Sequence, residues 1–261
     1  MPPVITRSEP RPAQPRVSRP RRVAEAIKEW VMDEGWQPGH RLPSETALMA
    51  RFGMAKGTIR EAIRLLEAEG LVLSRTGPGG GVFVHRVSEA RAVALLSNHF
   101  YFEDLSIDDI YALRRALEPE LAASLAGRLD AGQLARLEAA IAESAPPADS
   151  AEGEAARHAA SLRFHAELAA MSPNPLLRLV VRFLAEMLGE VTVARGLHAP
   201  ADPELWESGP LHQAELVAAL RAGDAARARA VMAAHMATAE RLMRAREATV
   251  RRRMLRDTGR T

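Results

Sequence analysis

Lys56, Thr58 and Arg60 stand together in the run Lys56-Gly57-Thr58-Ile59-Arg60. This grouping suits one kind of chemistry. An arginine fork donates two parallel hydrogen bonds to guanine O6 and N7, a lysine ammonium meets a phosphate or a guanine, and a threonine hydroxyl donates to a phosphate oxygen. Gly57 removes bulk where backbone must come close. The plainer reading is a solvated helix end, and the surrounding elements decide between the two. A second run, Thr76-Gly77-Pro78-Gly79-Gly80-Gly81, is nearly bare backbone, suited either to a tight turn or to close approach to a minor groove or phosphate backbone. With no cysteine in the chain, thiol chemistry, disulfides and cysteine zinc sites are excluded, so any metal must be held by His, Asp or Glu.

The elements that would position these groups follow from periodicity and punctuation. Val23, Ala24, Ile27, Val31 and Met32 recur at helical spacing and Gly35 stops them, predicting a helix over 21–34. Ser44 caps a second helix that ends at Gly53. A third runs from about Ala55 to Glu69 with Ile59, Ala62, Ile63 and Leu66 on its buried stripe, and Gly70 closes it. Two helices across a short Gly-containing turn make a helix-turn-helix. Residues 71–75 and 81–85 read as two β segments around the glycine run, a hairpin wing. In this arrangement the second helix enters a major groove by its N-terminal end, where free amides and the positive dipole face DNA. Lys56, Thr58 and Arg60 sit at that end.

The ordered set Pro38-Gly39-His40-Arg41-Leu42-Pro43-Ser44-Glu45, then Arg60-Glu61-Ala62-Ile63-Arg64-Leu65-Leu66-Glu67-Ala68-Glu69-Gly70-Leu71-Val72, then Val82-Phe83-Val84, resembles the winged helix of GntR-type bacterial transcription regulators over about residues 21–87. Where that family usually has Val-Ser-Arg before the recognition helix, this chain has Met54-Ala55-Lys56, without the cap hydroxyl and one arginine fork. The resemblance implies DNA contacts from Thr46, Lys56, Thr58, Arg60 and Gly77, with threonine at 46 in place of a frequent arginine.

From about Ser88 the pattern is helical throughout, with helices expected over 105–125, carrying Ile110, Leu113, Leu117 and Leu121 on one stripe, and over 129–141, 153–171, 175–196, 209–222 and 224–247. Pro146-Pro147, Pro173, Pro200, Pro210 and Gly223 punctuate them. This part resembles the FadR-type effector-binding domain called FCD, on Arg114 with Glu118, Phe164-His165, Leu168, Asn174, His212, Leu216, Ala219-Leu220, Gly223-Asp224, Ala228, Met232 and His235. The resemblance implies a divalent metal, Zn or Ni, held by His165, His212 and His235, with Ser161 where an Asp ligand is usual. Three ordinary core histidines are the alternative. His158 shares a helix with His165, but two turns are about 10 Å, too far for one ion. Arg114 is a candidate clamp for an effector carboxylate, or else the partner of Glu118 at i, i+4 spacing. Met171, Met187, Met232 and Met236 read as packing residues.

The chain is thus expected to be mainly α: a basic tail over 1–20, a winged helix-turn-helix with a small β-wing over 21–87, an all-α effector-binding and dimerisation domain over 88–247, and a basic tail over 248–261. Apolar residues at 47% with aromatics at 4% favour helices over strand-rich sandwiches. Net charge is only +2, but arginines crowd both ends, where they either contact polyanions or stay solvated. The N-terminus lacks a signal peptide's apolar region, and no run of about 18 apolar residues could span a bilayer, so a cytoplasmic protein without a membrane partner is expected. The function anticipated is a homodimeric, operator-binding transcription regulator, of repressor type, governed by a small carboxylate effector. The competing readings are a metal-dependent hydrolase and a DNA-binding dimer that senses nothing.

Overall fold

The computed structural model describes residues 17–100, 102–103, 105–145, 150–197 and 203–258; side chains of 151, 203–206 and 251–258 lie outside the description. The chain divides between Ser88 and Glu89 into two compact units. In the first, α1 spans Arg19–Asp33, α2 Glu45–Phe52 and α3 Lys56–Ala68, followed by β1 (Val72–Arg75) and β2 (Gly81–Val84). Helix α1 starts inside the stretch expected as tail, because Ser18 caps it and Pro20 suits a first helical turn. Ser44 Oγ accepts from the Ala47 amide at 3.2 Å, and Gly53 at φ 62° ends α2 in the left-handed region. The two strands pair antiparallel, Val72 opposite Val84 and Arg75 opposite Gly81.

The core of this unit is Val23, Ala24, Ile27, Leu42, Leu48, Ile59, Ala62, Ile63, Leu66, Val72 and Val84. The four-residue stripe of α3 is buried as its spacing requires. Met32, expected on the inner face of α1, is instead exposed. Val31 is half-buried, with Trp30 and Trp36 packed beside it.

The second unit is built of α4 (Glu89–Phe100), α5 (Ile107–Leu125), α6 (Ala131–Ser144), α7 (Ala151–Ala170), α8 (Pro175–Ala194), α9 (Pro203–Ala222) and α10 (Ala225–Thr258). Helix α10 packs along α5 and α9, and α7 along α6 and α8. Phe164, Leu168, Leu121, Leu125, Leu137, Met232 and Met236 fill one core region, and Ile107, Tyr111, Leu162, Met187, Leu188 and Met243 a second. Met171 packs partly buried against the first. Reciprocal capping boxes at Ser106/Asp109 and Asp130/Gln133 set the starts of α5 and α6.

Three expectations need correction here. Leu113 is 51% exposed, because α5 turns Tyr111, Arg114 and Glu118 inward in its place. Pro210 lies inside α9 and does not break it. The helix expected to end at 247 runs through Thr258, so residues 248–258 are not a separate tail. The anticipated breaks at Pro146-Pro147 and Pro200, the N-terminal stretch to residue 16 and the last three residues lie outside the described residues. Among the described residues, no helix is long and apolar enough to cross a membrane.

Candidate functional site

The residues expected to do chemistry fall in two separate places, one in each unit. On the first unit, α3 begins at Lys56 after Ala55, which contributes no side-chain cap. Lys56 and Arg60 are exposed and Thr58 is half-buried. Both cations turn toward one carboxylate: Arg60 Nε donates to Glu45 Oε1 at 2.9 Å, and Lys56 Nζ stands 3.8 Å from Glu45 Oε2. Thr46, next to Glu45 on α2, is exposed. Periodicity along α3 could not reveal Glu45, which is fifteen residues from Arg60.

The wing is a tight turn. Gly77 and Gly79 have φ of 90° and 76°, a region that suits glycine, and the Gly80 amide donates to Gly77 O at 2.8 Å. A Cβ on Gly80 would sit 2.5 Å from Arg75 O. The turn is also held from outside, since Arg41 Nη2 donates to Gly80 O at 2.5 Å.

On the second unit, Arg114 and Glu118 of α5, His165 of α7 and His235 of α10 form a buried line. Arg114 Nε donates to Glu118 Oε1 at 2.5 Å, and Glu118 Oε2 lies 2.5 Å from His165 Nδ1. His165 Nε2 faces His235 Nε2 at 3.3 Å with the rings parallel to within 2°. His212 of α9 approaches His235 with ring centroids 5.6 Å apart, and its Nδ1 is buried without a hydrogen-bond partner. Helix packing therefore gathers His165, His212 and His235, although 23 to 70 residues separate them in sequence.

Electrostatics bias the protonation states. Burial alone would raise the Glu118 carboxyl, but the Arg114 guanidinium, then His165, outweigh it and hold the pKa down to about 2. Burial lowers His165 despite the carboxylate beside it, and lowers His235 well below the ordinary histidine value, with the neighbouring His165 and Arg114 adding to the effect. Both shifts favour the neutral ring. With Glu118 ionised, a neutral His165 would carry its proton on Nδ1, facing the carboxylate, and leave the Nε2 lone pair toward His235. This is the arrangement in which a carboxylate orients a metal-binding histidine. Burial also pushes the Tyr111 phenol up to about 12, so it stays protonated under the Arg114 guanidinium, 5.2 Å from its ring centroid.

Arg114 Nη2, buried, has no hydrogen-bond partner. Arg114 also lines a cavity of about 30 Å³ shared with Ser161, His158, His165 and His235 and bordered by Gly209 and Pro210 of α9. His158, which the helical rise places too far from His165 for a shared ion, meets it at this cavity. Among the described residues, no three His, Asp or Glu side chains are drawn tightly enough together to enclose one ion. The features that bear on a metal are two facing ring nitrogens, a third histidine with an unpartnered buried nitrogen, and a carboxylate behind the first ring.

Residues 20–84 match the model of bacterial regulatory proteins of the gntR family, and residues 109–238 match the FCD domain. A protein of Escherichia coli named for regulation of an L-lactate dehydrogenase operon is 29% identical over 223 residues, 82% of each chain. An HTH-type transcriptional regulator of Mycobacterium tuberculosis is 30% identical, covering 82% of this chain and 85% of its own length. The solved structure of a Streptococcus agalactiae GntR superposes with a TM-score of 0.59 at 20% identity, over 85% of this chain and 99% of the other. A winged helix with cations at the tip of its recognition helix, followed by a helical domain matching FCD, agrees with these likenesses: the chain belongs to the GntR family of DNA-binding transcription regulators with an FCD domain, and is not an enzyme.

Proposed function

We propose that this regulator is a homodimeric repressor whose operator contacts come from Thr46, Lys56, Thr58, Arg60 and Gly77, and whose occupancy of DNA is set by a small carboxylate bound at Arg114. Paired recognition helices about one helical turn apart would read pseudo-palindromic half-sites, which is the reason for expecting two copies. Division of labour follows the chain: 21–87 for DNA, 88 onward for effector and dimer.

The observation that carries the effector reading is the buried, unpartnered Nη2 of Arg114, a residue that lines a small cavity. Leaving such a donor unpaired costs about 1–3 kcal/mol or more, which an incoming carboxylate oxygen would recover. A cavity of about 30 Å³ holds roughly one water. A three-carbon acid can therefore enter only if α9, which borders the cavity with Gly209 and Pro210, moves away. That requirement gives the ligand different affinities for the closed and open arrangements, the condition for shifting an equilibrium. The Escherichia coli relative's name favours a short 2-hydroxy acid such as L-lactate. Calorimetric titration with L-lactate, other 2-hydroxy acids and their alcohol analogues tests this: carboxylate-dependent binding that Arg114→Lys abolishes supports it, and binding indifferent to the carboxylate refutes it.

A divalent metal, Zn or Ni, belongs to the same reading. His165, His235 and His212 would hold it and Ser161 would offer a hydroxyl in place of a carboxylate; a bound ion would supply a Lewis-acidic anchor for an effector oxygen. Glu118 would orient His165 in either case. The reading of a DNA-binding dimer that senses nothing predicts no ligand response at all, and the same titrations decide it.

A further inference from the structure

We infer that Glu45 is a positioning and selectivity residue for DNA reading: it aims the Arg60 fork and subtracts charge from the tip of the recognition helix. This rests on the reading of Arg60 as the base-contacting residue.

The carboxylate is in an unusual place. The tip of α3 carries Lys56 and Arg60, and both are paired with the same anion, where phosphate is expected to approach. A negative group there opposes sequence-blind attraction to the backbone, the term that dominates non-specific binding. Its geometry gives a compensating use. Glu45 takes Arg60 through Nε, not through the terminal nitrogens. Engaging Nε fixes the guanidinium plane and leaves the Nη1/Nη2 edge outward, the edge that meets guanine O6 and N7 bidentately. With Glu45 one-third exposed and Arg60 more than half exposed, the pair contributes little to folding. A favourable interaction with the α2 dipole is the purely structural explanation, since Glu45 lies in the first turn of that helix. The two accounts differ in what they predict for wrong DNA.

The test uses the full-length protein, a duplex enriched by the wild type from a random pool, and a scrambled duplex of the same length, each titrated over a salt series. Glu45→Ala is expected to lower the ratio of selected to scrambled affinity about tenfold or more. Affinity for the scrambled duplex should stay equal or rise several-fold, with a salt slope steeper by about one. Glu45→Gln, which keeps an acceptor for Nε but loses the charge, should retain part of the preference while binding scrambled duplex more tightly. Both affinities falling together, in step with a lower melting temperature, would mean a structural role only and overturn the inference, as would an unchanged ratio. Arg60→Ala separates the two levels: if it destroys the preference while Glu45→Ala does not, this inference alone fails; if Arg60→Ala leaves the preference intact, the reading of Arg60 fails and takes the inference with it.

Discussion

Replacing Glu118 with alanine should unsettle the helical unit more than almost any other single change. Its side chain is fully buried, Arg114 is 1% exposed, and Glu118 is the anion paired with the Arg114 guanidinium, whose Nη2 already lacks a hydrogen-bond partner. The variant leaves a desolvated cation without its anion and removes the acceptor of His165 Nδ1. Breaking a buried pair from one side costs about 3–5 kcal/mol. For a unit of this size 1 kcal/mol moves the midpoint by about 2–4 °C, so a drop of roughly 10 °C is expected. Replacing both partners, Arg114→Met with Glu118→Leu, removes the orphaned charge and should recover most of the loss, because apolar substitutes for a buried pair are often neutral. The assay is thermal and urea unfolding of both variants followed by circular dichroism at 222 nm. A loss below about 1 kcal/mol for Glu118→Ala, or a double variant at least as unstable as the single one, would refute the view that an ion pair sealed from water organises this core.

Arg60→Ala should cost about 1–3 kcal/mol of operator binding while leaving the melting of the helical unit unchanged; unaltered affinity at fixed salt would remove Arg60 from the contact set. Gly80→Ala must push its new methyl against the backbone carbonyls of Arg75 and Gly77, so the wing should open and operator affinity fall while the helical signal stays constant; equal affinity of the variant would show that the turn's shape does not matter to DNA. Protein purified without chelator should contain Zn or a similar ion near stoichiometry by elemental analysis, reduced in His165→Ala; no ion at purification and no uptake on addition would remove the metal. Arg41→Ala, by releasing Gly80 O, should speed amide exchange across residues 76–81 in hydrogen-exchange measurements, and unchanged exchange there would show that Arg41 does not restrain the turn.

What could be read from sequence was what lies close together in it. Ser44, Gly53 and Gly70 mark helix ends through their own backbone and cap preferences, and the Ile59–Leu66 stripe is visible because helical spacing alone produces it. Arg114 and Glu118 were legible as a pair for the same reason. That Glu118 also holds His165, 47 residues away, is a product of how α5 meets α7 and leaves no local trace. Leu113 departs from the apolar stripe of α5 because such a stripe presumes an apolar interior, and this interior is partly ionic. Pro210 looked like a break since proline costs a helix one donor and some strain, but packing of α9 against α6 and α10 outweighs a local penalty. The arginine-rich end looked like a tail by charge, although arginine is a good helix former and α10 simply continues.

The length of α10 has a mechanical consequence. From His235 to Thr258 is 23 residues, about 35 Å of rigid rod, so a tilt of about 5° at the histidine displaces the far end by about 3 Å. On the proposed reading, a ligand that nudged one imidazole would act on a long lever arm, and a small event deep in the interior would be magnified into a movement large enough for a neighbouring surface to register.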